Sequence, residues 1–129
     1  MMCKCEFILN TTLKEDKVMS RLEQRTKQVI TKVFPLETFV TACRPDWLKG
    51  MDLDFYCEEG RLAVDCRGKQ HYEFCSFFHR TQDRFERQKE RDELKRQLCL
   101  EHGVTLVEVP YHLSTEQVEQ LISRYVIDV

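Results

Sequence analysis

Apolar side chains recur along the chain with two different periods, and each period predicts a type of element. Between residues 13 and 33 they fit one stripe of a helix, and Pro35 predicts the end of that helix. Residues 52–57 and 61–66 alternate apolar and polar side chains, which is typical of β-strands. Because only a short turn with Gly60 joins these two segments, they predict a hairpin.

The second half of the chain predicts a helix, a strand and a further helix. An aromatic loop at residues 71–80 precedes a charged helix at residues 81–101, which a glycine follows closely. Residues 104–110 form a mostly apolar strand, and a capping-box sequence at residues 114–117 begins the last helix. Residues 36–50 are interpreted as a connection. This pattern alone predicts an α/β fold in which helices flank a small mixed sheet.

Composition and charge mainly restrict where the chain acts. Its 129 residues suit one domain, with an N-terminal extension at residues 1–12 and a single domain at residues 13–129. The net charge of −2 confines any nucleic-acid surface to a local patch. No apolar run of transmembrane length and no signal-peptide pattern is present, so we expect no membrane partner and no secretion. Seven irregularly spaced cysteines favour a reducing intracellular compartment, the cytoplasm or nucleus.

Two aspartates on the hairpin are the strongest candidates for chemistry. Asp54 and Asp65 lie on different strands, and pairing around the turn brings their carboxylates together. Two close carboxylates repel each other and ionise more readily beside a cation. Carboxylate oxygens suit Mg²⁺ or Mn²⁺, which also bind phosphate oxygens and lower the pKa of a bound water. The pair therefore predicts a metal site for phosphodiester hydrolysis.

Polar residues at the end of the second strand supply further functional groups. Arg67 is two positions after Asp65 and shares its strand face. Lys69 or Gln70 is placed to orient an attacking water, and His71 suits proton transfer near neutral pH. Arg67 stays protonated, so it can stabilise charge but cannot act as a base. Solvated surface charges are the simpler alternative at each of these positions.

The charged helix and its approach carry a basic stripe. The arginines recur at helical spacing, so one side of the helix can face phosphates, and Arg67 is grouped with them as nucleic-acid-binding. A solvated helix held by its own salt bridges explains the same pattern. The stripe consists of Arg80, Arg84, Arg87 and Arg91.

In this order, the motifs resemble the PD-(D/E)xK restriction-endonuclease-like nucleases. The stretches are LDFY, LAVDCRGKQHY and FHRTQDRFERQKERDELKRQLCLEHGVTLVEVPY, and the similarity runs from Val18 to Tyr111. It is greatest to the very-short-patch-repair-like branch found in bacteria, mobile elements and large DNA viruses. The resemblance implies an αβββαβ core, Mg²⁺- or Mn²⁺-dependent cleavage of DNA, a DNA-repair, viral or mobile-element context, and a homodimer where both strands are cut.

Carried over residue by residue, the resemblance makes the two hairpin aspartates the metal-binding acids of the family. Gln70 and His71 match the GxQH ending of the branch, in which the histidine takes part in catalysis. Glu23 matches the helix glutamate that completes such sites, often through a metal-bound water. Asp92 matches the aspartate of the RD pair in the long helix of the family.

The chain departs from the family pattern at the second strand. Arg67 stands where the motif lysine is expected, and Lys69 is a displaced candidate for that role. Many relatives have glutamate at position 65, aspartate at 67 and a preceding zinc ribbon, of which only the cysteines of Cys3–Cys5 remain. The sequence predicts a metal-dependent DNA endonuclease. The alternatives are a catalytically weakened or inactive nucleic-acid-binding module of the same fold, and a protein whose charged helix contacts another protein.

Overall fold

A mixed β-sheet runs through the middle of the computed structural model, which describes residues 3–4, 7–8 and 19–125. The four longer strands are β3 (Val40–Pro45), β4 (Leu53–Cys57), β5 (Leu62–Arg67) and β6 (Thr105–Pro110). β3, β4 and β5 are antiparallel neighbours, whereas β6 pairs with β5 in parallel at the edge. Two short segments of the predicted N-terminal extension, β1 (Cys3–Lys4) and β2 (Phe7–Ile8), both pair with β3.

Helices cover both faces of this sheet. They are α1 (Arg21–Val33), α2 (Ser76–His79), α3 (Gln82–Glu101) and α4 (Thr115–Ile122). A larger apolar core joins the sheet to α1 and α4 through residues such as Ile30, Val64 and Val118. A smaller core joins the opposite face to α3 through Leu98 and Ala63. The predicted mixed sheet with flanking helices is therefore confirmed.

Local sequence signals account for most of the helix boundaries. Reciprocal capping boxes begin α1 at Ser20 and α4 at Ser114, the second as the sequence predicts. The Thr81 side chain accepts a hydrogen bond from the Arg84 N–H and begins α3. Residues 13–18 of the predicted first helix lie outside the described residues.

The interpretation of residues 36–50 as a connection is wrong, because this segment contains β3. Four of the six β3 residues are buried, and a strand buried on both faces does not need to alternate apolar and polar residues in its sequence. Ala42 also has a positive φ of 51°, which interrupts the regular strand geometry. The aromatic loop likewise contains a short helix, α2, and a 3-10 turn at Lys69–His71 leads into it.

Candidate active site

The two hairpin aspartates face each other where the ladder between β4 and β5 ends. Regular backbone pairing reaches Phe55 and Val64. One residue further on, the Asp54 N–H donates to Asp65 Oδ1 at 2.9 Å, and the Cys66 N–H donates to Asp54 Oδ2 at 2.8 Å. Side-chain oxygens thus replace backbone carbonyls as acceptors between the strands. The structure brings the two carboxylates together at a fixed place in the sheet.

This carboxylate pair is short of positive charge. Burial, and then the neighbouring charge of Asp65, raise the pKa of Asp54 to about 7. The Cys66 N–H lowers this pKa, and the charge of Glu23 raises it further. Above neutral pH the site therefore holds negative charge that the protein neutralises only in part.

Glu23 lies in the first turn of α1, where its side chain also caps the helix. Its Oε1 accepts a hydrogen bond from the Ser20 N–H at 2.9 Å, which completes the helix cap. Its charge still contributes to the raised pKa of Asp54. The carboxylate is thus positioned by a local helix signal on the α1 side of the pair.

Lys95 on α3 supplies the cation nearest to Asp65, although the sequence motifs do not single it out. Its Nζ donates to Asp65 Oδ2 and to the Asp52 carbonyl, both at 2.7 Å. The spacing of the helix could have indicated this role. Asp92 and Lys95 follow Phe85 at helical intervals, and the structure shows that these three residues share the buried face of α3. A charged residue on the buried stripe of a helix indicates a specific partner.

Arg67 is buried rather than exposed on a nucleic-acid surface. Only 2% of its surface is accessible, and three carboxylates surround its guanidinium. Nη1 lies 2.8 Å from Asp92 Oδ1, Nη2 lies 3.5 Å from Asp65 Oδ2, and Nε lies 3.8 Å from Glu108 Oε1. A ligand therefore has to penetrate below the protein surface to contact Arg67.

Asp92 fixes the orientation of His71. His71 Nδ1 lies 2.9 Å from Asp92 Oδ2, and Gln88 Nε2 donates to the other oxygen at 3.1 Å. Burial alone raises the pKa of Asp92, but hydrogen bonding from His71 and the charge of Arg67 hold it below its usual value. Because Asp92 is ionised and can only accept, Nδ1 of His71 carries a proton. Nε2 is then the ring atom left for proton exchange.

Two predicted residues lie away from the carboxylate pair. The Lys69 side chain is 59% exposed, and its Nζ is 4.0 Å from Glu73 Oε1. The Gln70 side chain folds over Gly68, where an added Cβ would lie 2.5 Å from Gln70 Oε1. Gly68 therefore leaves space for Gln70, and neither side chain has a hydrogen bond to Asp54 or Asp65 in the described part of the chain.

The α3 helix and the approach to β4 enclose a cleft of about 250 Å³, called here the basic cleft. Arg91 belongs to it, whereas Arg80, Arg84 and Arg87 are exposed outside it. Its lining combines four basic side chains with two carboxylates, a histidine and a glutamine. These are Arg44, Arg67, Arg91 and Lys95, with Asp52, Asp92, His71 and Gln88.

The donor set around the hairpin aspartates fits a Mg²⁺-type ion. Within the described residues, no group of three or more His, Cys, Asp and Glu side chains is arranged to hold a metal. Mg²⁺ commonly takes only one or two carboxylates, and waters and substrate phosphate oxygens complete its shell. Asp54 and Asp65 supply two such carboxylates, and burial and the charge of Asp65 raise the pKa of Asp54, which disfavours its ionised form without a cation beside it.

Similar proteins occur in three iridescent or frog viruses. The chain is 40% identical over 79 residues to uncharacterized protein 307L of Invertebrate iridescent virus 6, covering 53% of the chain and 40% of that protein. It is 43% identical to uncharacterized protein 033L of Invertebrate iridescent virus 3 and 42% identical to uncharacterized protein 094L of Frog virus 3. These matches span 35% and 44% of the two proteins. No protein-family model matches the chain, and no solved structure is similar to it.

Two further findings concern the setting of the protein. Among the helices of the described residues, none has the length and hydropathy that crossing a bilayer requires. Cys57, Cys66, Cys75 and Cys99 are free thiols, whereas Cys43 is disulfide-bonded. The expected reducing compartment therefore stays a prediction.

Proposed function

We propose that this chain is a metal-dependent nuclease that hydrolyses phosphodiester bonds of DNA. The observation that carries the proposal is the Asp54–Asp65 pair, which is held by reciprocal hydrogen bonds and has a pKa of about 7 at Asp54. The order of the longer elements, one helix, three strands, a helix and a strand, supports it as the order that the nuclease resemblance implies.

The residues divide the proposed reaction between them. Asp54 and Asp65 would hold Mg²⁺ or Mn²⁺, and Glu23 would contact its shell. When bound, such an ion lowers the pKa of a water and offsets charge on phosphorus. His71, oriented by Asp92, exchanges a proton at Nε2 with the attacking or leaving oxygen.

Lys95 takes the place of the motif lysine that Arg67 displaces in the sequence. Its amine is 2.7 Å from Asp65 Oδ2, so it supplies positive charge at the carboxylate from α3 rather than from β5. The chemistry of this position depends on where the charge lies and not on which element carries it. Arg67 instead holds Asp65, Asp92 and Glu108 in place.

One observation favours a non-cutting nucleic-acid-binding module as the second candidate. Both Asp65 oxygens already have partners, since Oδ1 accepts from the Asp54 N–H and Oδ2 accepts from Lys95. If these bonds persist beside substrate, Asp65 offers a metal little. Such a module binds DNA with a steep salt dependence and leaves it intact.

Metal binding and cleavage in the same samples separate the two candidates. We expect calorimetry to show Mn²⁺ binding to the parent protein and to the matched control Asp46→Asn, which changes an exposed aspartate outside the hairpin strands. Asp54→Asn removes a ligand charge, so it should lose metal binding and about 10³-fold or more of plasmid nicking. Parent protein that binds DNA but binds no Mn²⁺ and never nicks DNA would support the binding module. An Asp54→Asn variant that nicks at the parent rate would refute this site.

A further inference from the structure

We propose that the basic cleft binds phosphate without a metal ion, through Arg67, Arg91 and Lys95. The identity of the ligand as a phosphate of DNA rests on the proposed function, whereas the affinity for phosphate itself does not. Among the described residues, the cleft and the Asp54–Asp65 pair are linked through Lys95 and Arg67, which both contact Asp65.

The unsatisfied guanidinium of Arg67 is the first reason. It is 2% exposed and lines the cleft, yet its Nε and Nη2 have no hydrogen-bond partner. Their nearest carboxylates, Glu108 at 3.8 Å and Asp65 at 3.5 Å, offset charge without hydrogen-bond geometry. Buried polar groups without partners are costly, and arginine presents paired donors that match phosphate oxygens. Both atoms are fully buried, so a phosphate oxygen gives these donors an acceptor by entering from the cleft beside the guanidinium.

The remaining basic side chains of the cleft are the second reason. Arg91 is exposed and, among the described residues, forms no ion pair within 4.0 Å. Arg44 approaches Asp52 only at 4.0 Å. The lining holds four basic and two acidic side chains, and Asp65 and Glu108 behind it offset the charges of Lys95 and Arg67. Arg91 therefore supplies the charge that is left to attract an anion. The cleft volume of about 250 Å³ accommodates a phosphate group with ordered waters.

Titration with inorganic phosphate in the presence of EDTA tests the cleft directly. We expect phosphate to bind the parent protein, measured by calorimetry against chloride at equal ionic strength. Arg91→Ala should weaken this binding by about tenfold, because a charged donor is lost from an exposed position that the fold does not need. Arg67→Lys keeps the buried charge but loses the donor fork, so it should weaken binding as well. The control Arg21→Ala, an exposed arginine on α1, should bind as the parent does.

Phosphate binding that is absent in the parent, or equal in Arg91→Ala and the parent, would overturn the proposal.

The source of the phosphate follows from competition by oligonucleotides with and without a 5′-phosphate. Equal competition assigns the cleft to the phosphodiester backbone, and competition only by the phosphorylated strand assigns it to a terminal monoester. Failure of both strands to compete would overturn the assignment to DNA. Because Asp54→Asn should retain metal-free phosphate binding, loss of nuclease activity and loss of this site are distinguishable.

Discussion

Two groups of carboxylates, Asp54–Asp65 and Asp92–Glu108, lie near each other, and the pKa of Asp54 moves in the opposite direction from those of Asp92 and Glu108. Burial and Asp65 raise the pKa of Asp54 to about 7. Burial alone also raises the pKa values of Asp92 and Glu108. A hydrogen bond from His71 lowers the pKa of Asp92, a hydrogen bond from Arg96 lowers that of Glu108, and the charge of Arg67 lowers both. The difference lies in the neighbouring charges. Basic side chains contact Asp92 and Glu108, whereas Asp54 has the negative charges of Asp65 and Glu23 nearby and only the charge of Lys95 to lower its pKa.

The two groups are nevertheless connected through Asp65. Its Oδ2 contacts both Lys95 at 2.7 Å and Arg67 Nη2 at 3.5 Å. Arg67 also pairs with Asp92 and Glu108, called here the neutralised group, so this one cation reaches both groups. Asp54 receives no such contact and hydrogen-bonds through Oδ2 only to the Cys66 N–H. The same aspartate-to-asparagine change should therefore affect stability with opposite signs in the two groups.

The largest effect is expected from Asp92→Asn. This change keeps the shape of the side chain but leaves Arg67 with one buried counter-charge fewer and removes the charged acceptor for His71. Loss of one partner in a buried ion pair costs about 3–5 kcal/mol. We expect the free energy of unfolding in urea to fall by that amount at pH 7. Glu90→Gln, an exposed change on the same helix, serves as the control and should have little effect.

The pH dependence of this loss gives an internal check. The folded-state pKa of Asp92 is lowered, so its stabilising contribution is present above the unfolded pKa near 4 and is lost as pH falls through the folded value. The parent and Asp92→Asn should therefore converge in stability under acid conditions. A difference that stays constant down to acid pH would mean that packing, rather than charge, sets the loss.

Asp54→Asn is expected to stabilise the metal-free protein at alkaline pH. The folded pKa of Asp54 is raised, so its contribution is fully favourable below about 4 and is lost as pH rises through about 7. At pH 8 the variant should exceed the parent by ~1–3 kcal/mol in free energy of unfolding, and near pH 4 the two should agree. Mg²⁺ at pH 8 should raise the melting temperature of the parent only. A variant less stable than the parent at pH 8 would show that Asp54 is not short of positive charge.

The sequence identifies the Asp54–Asp65 pair because both residues belong to one hairpin. Their convergence depends on a short turn and on strand pairing, which are local properties. Lys95 and Asp92 reach the site from α3, so their roles depend on how that helix packs on the sheet. The sequence pattern placed Arg67 on the face of Asp65 but gave no sign of its burial.

The missed strand β3 has a related cause. Apolar and polar residues alternate along a strand when one face of its sheet is exposed to solvent, but most of β3 is buried. Lys69 shows that closeness in the sequence differs from contact in the fold, since it lies only two residues after Arg67. The turn at Lys69–His71 instead directs the Lys69 side chain to solvent and His71 to Asp92.

The smallest effect is expected from Arg96→Gln, at the exposed end of the neutralised group. Arg96 Nη2 donates to Glu108 Oε1 at 2.9 Å, and Nη1 is 3.1 Å from Glu93 Oε1, but the Arg96 side chain is 44% exposed. Water replaces such a partner readily, so loss of an exposed ion pair costs about 0.2–1 kcal/mol. We expect urea denaturation of Arg96→Gln to show a loss in this range, with the double variant Arg96→Gln/Glu108→Gln testing whether the pair acts alone. A loss as large as that of Asp92→Asn would mean that Glu108 relies on Arg96 rather than on buried Arg67, and that the neutralised group extends to the protein surface.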